Sequence, residues 1–124
     1  MAGTVTTTEE TIGRISKVKF VWTSSAGGAA DATTTGYYTG SIIRVVQIPD
    51  GGGTQPTNAY DIVVNDNDSA DVLLGLGANL SNAANTDKVA SDKLGVVANS
   101  QLTLAVTNAG NAKGGKTILY IQTR

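Results

Sequence analysis

The chain has 124 residues, of which 40% are hydrophobic and only 15% are charged, and this composition indicates one folded globular domain. Nine basic and ten acidic residues give a net charge of −1 without a basic stripe, which argues against binding of nucleic acid or of an anionic membrane. Histidine and cysteine are absent, which excludes catalytic triads, thiol nucleophiles and the usual zinc or redox-metal sites. We therefore expect a structural or binding protein, not an enzyme.

The first strand with clear alternation is predicted within residues 12–23. Its apolar and basic side chains alternate, which is typical of a strand that is buried on one face. The buried face is predicted to hold Val18, Phe20 and Trp22, and the solvent face Lys17 and Lys19. Residues 24–35 are rich in Ser, Gly, Ala and Thr, and we predict a mobile loop there.

Residues 37–48 are predicted to form a central strand, because the run 42–46 is apolar on both faces and rich in β-branched residues. Tyr37 and Tyr38 must point to opposite sides of this strand, so we expect one of the two rings to be buried. Residues 49–53 combine a proline with consecutive glycines and predict a turn.

The second half of the chain continues in the same pattern. Residues 60–64 are predicted to form a strand, and the polar residues 65–68 a tight turn after it. Residues 101–107 and 118–122 alternate and predict the last two strands. Because the connection between them is rich in Asn and Gly, we predict that these two strands form a hairpin.

These strands together predict an all-β fold. Several short strands separated by glycine-rich turns favour a single small β-sandwich of antiparallel strands over residues 1–124, of the jelly-roll type. The sequence leaves the structure of residues 76–95 open, since this segment is rich in Asn and Ala and shows no clear period.

A phosphate-loop pattern occurs near the C-terminus. Residues 110–117 match G-x-x-x-x-G-K-[ST], in which backbone N–H groups bind phosphate at the start of a following helix. Only seven residues follow Thr117, and they alternate as a strand. We therefore interpret the match as a turn, and expect no nucleotide or other cofactor.

Carboxylates are the remaining candidates for metal binding or catalysis. Asp66, Asp68 and Asp71 lie within six residues of each other and offer the oxygen ligands that Ca²⁺ prefers, although their spacing departs from the EF-hand loop. The alternative is that these side chains hydrogen-bond the backbone of their own turn, in which case no metal is bound. Asp61 and the pair Glu9-Glu10 show no spacing that pairs them for acid–base catalysis.

A resemblance to small virion proteins of tailed bacteriophages covers residues 36–124. The stretches that carry it are Tyr60-Asp61-Ile62-Val63-Val64, Asp71-Val72-Leu73-Leu74-Gly75-Leu76-Gly77-Ala78-Asn79, Leu102-Thr103-Leu104-Ala105-Val106-Thr107-Asn108-Ala109-Gly110 and Leu119-Tyr120-Ile121. The sequence is similar there to the capsid decoration, or cement, proteins of this group. The resemblance is one of strands and glycine turns and includes no catalytic residue.

The resemblance implies a structural role. A decoration protein is made in the cytoplasm of the bacterial host and binds the outer surface of the phage head, with the major capsid protein as its partner. It also implies a homo-oligomer, a dimer or a trimer. The alternative is a carbohydrate- or host-binding β-sandwich of the tail or fibre, which requires the rings of Trp22, Tyr37 or Tyr38 to surround an exposed cleft.

The N-terminal segment is the candidate interface. The β-prone run Thr4-Val5-Thr6-Thr7-Thr8 precedes the first strand with clear alternation. It predicts either an extended arm over residues 1–11 that pairs with a neighbouring sheet edge, or a frayed terminus.

Overall fold

The computed structural model describes residues 3–123 and confirms an all-β fold. Nine strands follow each other along the chain: β1 (Thr4–Ile12), β2 (Ile15–Thr23), β3 (Ala30–Thr33), β4 (Tyr38–Pro49), β5 (Asp61–Asn65), β6 (Thr86–Val89), β7 (Val96–Ser100), β8 (Thr103–Thr107) and β9 (Gly114–Gln122). Single turns of 3₁₀ helix occur at Gly52–Thr54 and Ala90–Asp92. None of the helical turns in the described part of the chain is long and apolar enough to cross a membrane.

The strands form two antiparallel sheets that pack into a β-sandwich. The larger sheet has six strands in the order β1-β2-β9-β4-β6, with β7 also paired to β4, and the smaller has the order β3-β8-β5. The inward-facing side chains of both sheets form a single hydrophobic core, whose largest fully buried members include Trp22, Phe20, Tyr60, Leu104 and Leu119. This shared core joins the two sheets into one domain.

The strand pairs are nested in sequence, as in a jelly roll. β2 pairs with β9, β3 with β8, and β4 with β7. The innermost pair consists of β5 and the irregular segment 71–80, which is joined to β5 by the bridges Asn65↔Asp71 and Tyr60↔Leu80. The chain therefore resembles one long hairpin that is rolled up around its core, with the turn 66–70 at its tip.

The segment 71–80 takes the place of a fourth strand in the smaller sheet. Its hydrogen bonds to β5 run from the N–H of Val72 to the carbonyl of Val64 (2.8 Å) and from the N–H of Ile62 to the carbonyl of Gly77 (2.7 Å). A side chain at Gly77 would place its Cβ 2.1 Å from the Ile62 carbonyl oxygen, so this close approach requires glycine. The segment is irregular because turns separate these contacts, which explains why its sequence shows no strand period.

The predictions for β2 and for the start of β4 are confirmed. Val18, Phe20 and Trp22 are each at most 1% exposed, while Lys17 and Lys19 lie on the opposite face of the strand. Of the neighbouring tyrosines, Tyr38 is buried and Tyr37 is 59% exposed.

The predicted hairpin between the last two strands is wrong. β8 lies in the smaller sheet and β9 in the larger one, so residues 108–113 cross from one sheet to the other. Ser24 stabilises this crossing, because its hydroxyl donates to the carbonyl of Gly110 and accepts from the N–H of Lys113. Turn-forming residues mark a change of direction, but they do not determine which sheet the chain enters next.

The predicted mobile loop over residues 24–35 is also wrong. Residues 30–33 form β3, which pairs with β8 along its whole length. Ala30 and Thr34 are each 1% exposed, and the N–H of Thr34 donates to the carbonyl of Leu102 at 2.9 Å. Small side chains show little alternation of hydrophobic and polar residues, so the sequence does not mark this strand. It forms because it pairs with β8, which is distant in sequence.

The N-terminal segment is not a free arm within the described residues. Residues 4–12 form β1, and all nine of them pair with β2 in an antiparallel register from Thr4↔Thr23 to Ile12↔Ile15. Val5 packs against the core. The first two residues of the predicted arm lie outside the described part of the chain.

Candidate functional site

The predicted interface residues Thr4, Val5, Thr6, Thr7 and Thr8 lie on an edge strand. β1 is the last strand of the larger sheet and pairs only with β2 within residues 3–123. The two-residue loop Gly13-Arg14 joins β1 to β2, and Gly13 has a positive φ of 61°, as at the first central position of a type II′ turn.

This hairpin geometry determines which backbone groups of β1 are open. The pair Ile12↔Ile15 that flanks the turn exchanges hydrogen bonds, and the bonded pairs then alternate along the ladder. The N–H and C=O groups at alternate positions therefore point away from β2, namely those of Val5, Thr7, Glu9 and Thr11. We call this row the β1 edge.

Glu9 joins β1 to the segment before β4. Its carboxylate accepts hydrogen bonds from the N–H of Thr35 (3.0 Å), the N–H of Gly36 (2.9 Å) and the hydroxyl of Tyr38. Partial burial raises the pKa of Glu9, but the hydrogen bonds from Tyr38, Gly36 and Thr35 outweigh it, so the pKa lies below its ordinary value. Burial and the bond to Glu9 raise the pKa of Tyr38. Sequence analysis missed this contact, since it joins residues far apart in sequence.

We expect Glu9→Gln to lower the free energy of unfolding at pH 7 by about 1–2 kcal/mol, because charge-assisted hydrogen bonds are lost at a partly exposed site. In the folded state the pKa of Glu9 lies below its ordinary value of 4.5. Its stabilising effect is therefore complete above the unfolded pKa and is lost as the pH falls through the folded pKa. Urea denaturation of both proteins at pH 7, 5, 4 and 3 should show the difference shrinking below pH 4.5.

Glu10→Gln is the matched control for this measurement. Glu10 follows Glu9 in β1 but is exposed, and its carboxylate accepts no hydrogen bond from residues 3–123. Its substitution should change stability by less than about 0.5 kcal/mol at each pH. A difference between Glu9→Gln and the wild type that stays constant from pH 7 to pH 3 would contradict a role for the ionised carboxylate.

Two of the three candidate calcium residues, Asp66 and Asp71, accept hydrogen bonds from the backbone around their own turn. Asp66 accepts from the N–H of Asp68 (2.9 Å) and of Ala70 (3.0 Å). Asp71 accepts from the N–H of Leu73 (2.9 Å) and of Gly75 (2.9 Å). Across residues 3–123, no three acidic side chains come together in a group able to hold a metal ion. The hydrogen bonds of Asp66 and Asp71 are those that the turn interpretation expects, while Asp68 takes part only through its backbone N–H.

The phosphate-loop match does not have the geometry of a phosphate site. Residues 110–113 cross between the sheets, and residues 114–117 begin β9. Lys116 is exposed and faces outward from the larger sheet, and Lys113 donates to the carbonyl of Gly53 at 3.1 Å. No helix follows whose N-terminus would point N–H groups at a phosphate, because the segment after Thr117 continues as β9.

The aromatic rings do not form an exposed platform. Trp22 packs on Tyr60 with ring centroids 5.7 Å apart, and burial raises the pKa of Tyr60 to about 12. Tyr120 lies half-buried on the outer face of the larger sheet. Lys17 and Arg44 flank it from the strands on its two sides, with the Lys17 Nζ 5.9 Å and the Arg44 Cζ 5.4 Å from the ring centroid.

The outer faces of the two sheets differ in charge. Around Tyr120 the register of the larger sheet places four basic side chains, Lys17, Lys19, Lys116 and Arg44, on one surface with two acidic ones, Glu10 and Asp87. We call this surface, which has an excess of positive charge, the Tyr120 face. The smaller sheet turns outward Asp31, Asp61, Thr33, Thr103, Ala105 and Thr107, which we call the Asp31 face. Sequence analysis placed the lysines on a solvent face, but only the strand order brings them beside Tyr120 and Arg44.

The surface clefts are open to solvent and differ in their linings; one of about 260 Å³ on the Tyr120 face is lined by Glu10, Ile12, Ile15, Lys17 and Tyr120. Another, of about 420 Å³, is lined by Gly3, Thr4 and residues 23–27 and contains no charged side chain. Of the candidate catalytic acids, Asp61 has structural partners, since it accepts from the N–H of Asn79 (2.8 Å) and from the side-chain amide of Asn108 (2.7 Å). The structure therefore does not bring Asp61 together with Glu9 or Glu10.

Comparison with known proteins gives a likeness of architecture. No protein-family model and no curated protein matches the sequence. Among solved structures, the chain is similar to one from a study of the promiscuous specificity of carbohydrate-binding modules of the β-sandwich superfamily, with 13% identity and a TM-score of 0.37. The match covers 98% of this chain and 53% of that chain, so this protein spans about half the length of its neighbour.

Proposed function

We propose that this protein is a structural, non-catalytic decoration protein of a tailed bacteriophage. It is made in the host cytoplasm, binds the outer surface of the phage head through the major capsid protein, and stabilises the shell as a small oligomer. The sequence resemblance over residues 36–124 supports this proposal. The structural observation that carries it is the β1 edge. Its open N–H and C=O groups belong to a nine-residue strand that has no partner on its outer side within residues 3–123.

An open strand edge suits attachment to a shell. A capsid strand that pairs with β1 gains main-chain hydrogen bonds without needing a pocket, and exposed Thr4, Thr6 and Thr8 make the outer face of β1 polar. Several copies in one oligomer multiply such weak contacts into strong attachment. A protein that binds only the mature lattice stabilises it by RT ln(1 + [L]/Kd), about 2.7 kcal/mol per site at a hundredfold excess over Kd.

A carbohydrate- or host-binding module of the tail or fibre is the second candidate. The observation in its favour is Tyr37, which is 59% exposed and available for stacking on a sugar. Trp22 and Tyr38, the other rings that this function would use, are buried, and cations flank both sides of Tyr120. A single exposed ring is a weak platform, so we favour the decoration role.

The variant Thr7→Pro tests the role of the β1 edge. The N–H of Thr7 points away from β2, so a proline there blocks pairing with an added strand and leaves the ladder to β2 in place. We expect a folded protein whose affinity for purified heads that lack it falls at least about tenfold, as one or more strand hydrogen bonds are lost. Co-sedimentation with heads measures the affinity.

Thr7→Val is the matched control, since it changes the side chain and keeps the N–H. It should bind heads like the wild type. Mass analysis and electron microscopy of virions with and without the protein give its location. Finding it only at the tail, or finding equal affinity of Thr7→Pro and Thr7→Val for heads, would refute attachment through the β1 edge to the shell.

A further inference from the structure

Charge is separated between the two outer faces of the sandwich. From residue 45 to residue 86 the chain contains five aspartates and no lysine or arginine, and this stretch includes β5 and the tip of the rolled hairpin. The basic residues of β2, β4 and β9 lie on the opposite side of the molecule, on the outer face of the larger sheet. A net charge of −1 for the whole chain conceals this separation.

The Tyr120 face combines positive charge with apolar surface. Cross-strand neighbours form the rows Lys17-Tyr120-Arg44 and Lys19-Ile118-Val46 across β2, β9 and β4. Exposed Ile12, Val21 and Val89 surround these rows. Asp87 forms a salt bridge with Arg44 at 2.7 Å, the single one within residues 3–123, and so balances the charge of that residue. Glu10 lies opposite Lys17 in the register of β1 and β2 without forming a salt bridge to it. The excess positive charge of the face therefore comes from Lys17, Lys19 and Lys116, set against Glu10.

The Asp31 face is acidic, and its side chains are small. Cross-strand neighbours form the rows Asp31-Ala105-Val63 and Thr33-Thr103-Asn65 across β3, β8 and β5. Asp31 is exposed, and its carboxylate accepts no hydrogen bond from the described residues. β3, β5 and β8 contain no lysine or arginine. Long lysine side chains and a tyrosine ring can therefore approach this surface closely without meeting a like charge.

We propose that copies of this chain associate head to tail, with the Tyr120 face of one copy covering the Asp31 face of the next. The expected partner is a second copy of this chain. Each copy carries both a positive and an acidic face, and these two faces lie on opposite sides of its sandwich. Two unlike faces make a heterologous contact, which closes into a ring or continues as a filament according to the rotation between copies. The contact goes beyond the proposed function, since it requires no capsid and does not use the β1 edge.

Two charge-reversal variants test this contact. The first, Lys17→Glu with Lys19→Glu, reverses the Tyr120 face. The second, Asp31→Lys with Thr107→Lys, reverses the Asp31 face at two exposed positions whose side chains make no hydrogen bond within residues 3–123. Sedimentation velocity over a concentration series measures association, and circular dichroism confirms that each variant is folded.

We expect the wild type to associate, with a Kd that rises about tenfold between 50 and 500 mM NaCl as the charges are screened. Each variant alone should be monomeric, and an equimolar mixture should associate again, since each supplies the face that the other lacks. Lys88→Glu with Lys93→Glu lowers the net charge by the same four units as the Tyr120-face variant but at other positions, and it should associate like the wild type.

Three outcomes would overturn the proposal. The first is a wild type that remains monomeric at about 100 µM, a concentration at which an interface of moderate affinity is populated. The second is association of the Asp31-face variant like the wild type while the Tyr120-face variant is monomeric, because this indicates a symmetric contact between two Tyr120 faces. The third is a mixture of the two variants that stays monomeric. None of these three outcomes depends on whether Thr7→Pro binds phage heads, so this proposal and the proposed function can fail separately.

Discussion

Replacing Trp22 with alanine should lower the free energy of unfolding by about 3–5 kcal/mol, a large share of the stability of a small domain. Trp22 is 1% exposed and packs on Tyr60, and its ring also lies against Gly115 of the neighbouring strand. A Cβ at Gly115 would come within 2.6 Å of this ring, so the glycine leaves the space that the indole fills. Alanine at position 22 would leave a cavity where both sheets meet.

Urea denaturation followed by far-UV circular dichroism measures this loss, because Trp22 is the single tryptophan and its fluorescence disappears with it. Trp22→Phe should cost less than half as much, since the indole N–H has no hydrogen-bond partner among the described residues and its removal leaves no broken bond. Tyr37→Ala is the surface control, with a change below about 0.5 kcal/mol. Unchanged melting of Trp22→Ala with loss of a sugar ligand would instead favour the second candidate function.

The strands with large alternating side chains were predictable from the sequence. In β2 the period of two places Phe20 and Trp22 on the same side as Val18, and burial of that face is the strongest local signal that a chain can carry. The start of β4 gave the same kind of signal through Tyr37 and Tyr38. These elements are determined by their own side chains, so one sequence suffices to find them.

Strands with small or polar side chains were not predictable in the same way. β3 reads Ala-Asp-Ala-Thr, and its structure depends on pairing with β8, about seventy residues later in the chain. The segment 71–80 follows β5 through three separate contacts, none of which produces a period. β1 was recognised as β-prone, but its partner β2 was not identified, although Gly13-Arg14 has the length of a hairpin loop.

The candidate surfaces depend on strand order, which local pattern does not determine. Lys17, Arg44 and Tyr120 are far apart in sequence and become neighbours only because β9 inserts between β2 and β4. The bond between Glu9 and Tyr38 likewise depends on the tertiary fold, because β2 and β9 separate β1 from β4 in the strand order. The exposure of Lys17 and Lys19 and the burial of one of the two tyrosines at the start of β4 were therefore predicted correctly, while the combinations of residues on these surfaces were not.

The nested topology gives the turn 66–70 a special position. The outer pairs of the rolled hairpin close long loops, whereas β5 and the segment 71–80 are separated by only a few residues. The chain entropy lost on closing a loop is smallest there, so contacts at the tip can form before the contacts between distant segments. Asp71 lies where the chain leaves this tip, and its carboxylate holds the first turn of the segment that follows.

Asp71→Ala should accordingly lower the free energy of unfolding by about 2–3 kcal/mol, because it removes the acceptor of the Leu73 and Gly75 N–H groups. Leu73 is fully buried, so its N–H cannot turn to water instead. Asp71→Asn keeps one acceptor oxygen and should lose about half as much. Urea denaturation in EDTA measures both variants.

Asp68→Ala provides the control that separates this role from calcium binding. Asp68 is exposed in the same turn, and its carboxylate accepts no hydrogen bond from residues 3–123. Its loss should change stability by less than about 0.5 kcal/mol, with or without millimolar Ca²⁺. If Ca²⁺ raised the melting temperature of the wild type by several degrees and the rise disappeared in both Asp68→Ala and Asp71→Ala, the three aspartates would be metal ligands and the turn would owe its stability to the ion. If instead Asp71→Ala alone is destabilised and Ca²⁺ has no effect, the carboxylate acts through the backbone of the turn, as its hydrogen bonds indicate.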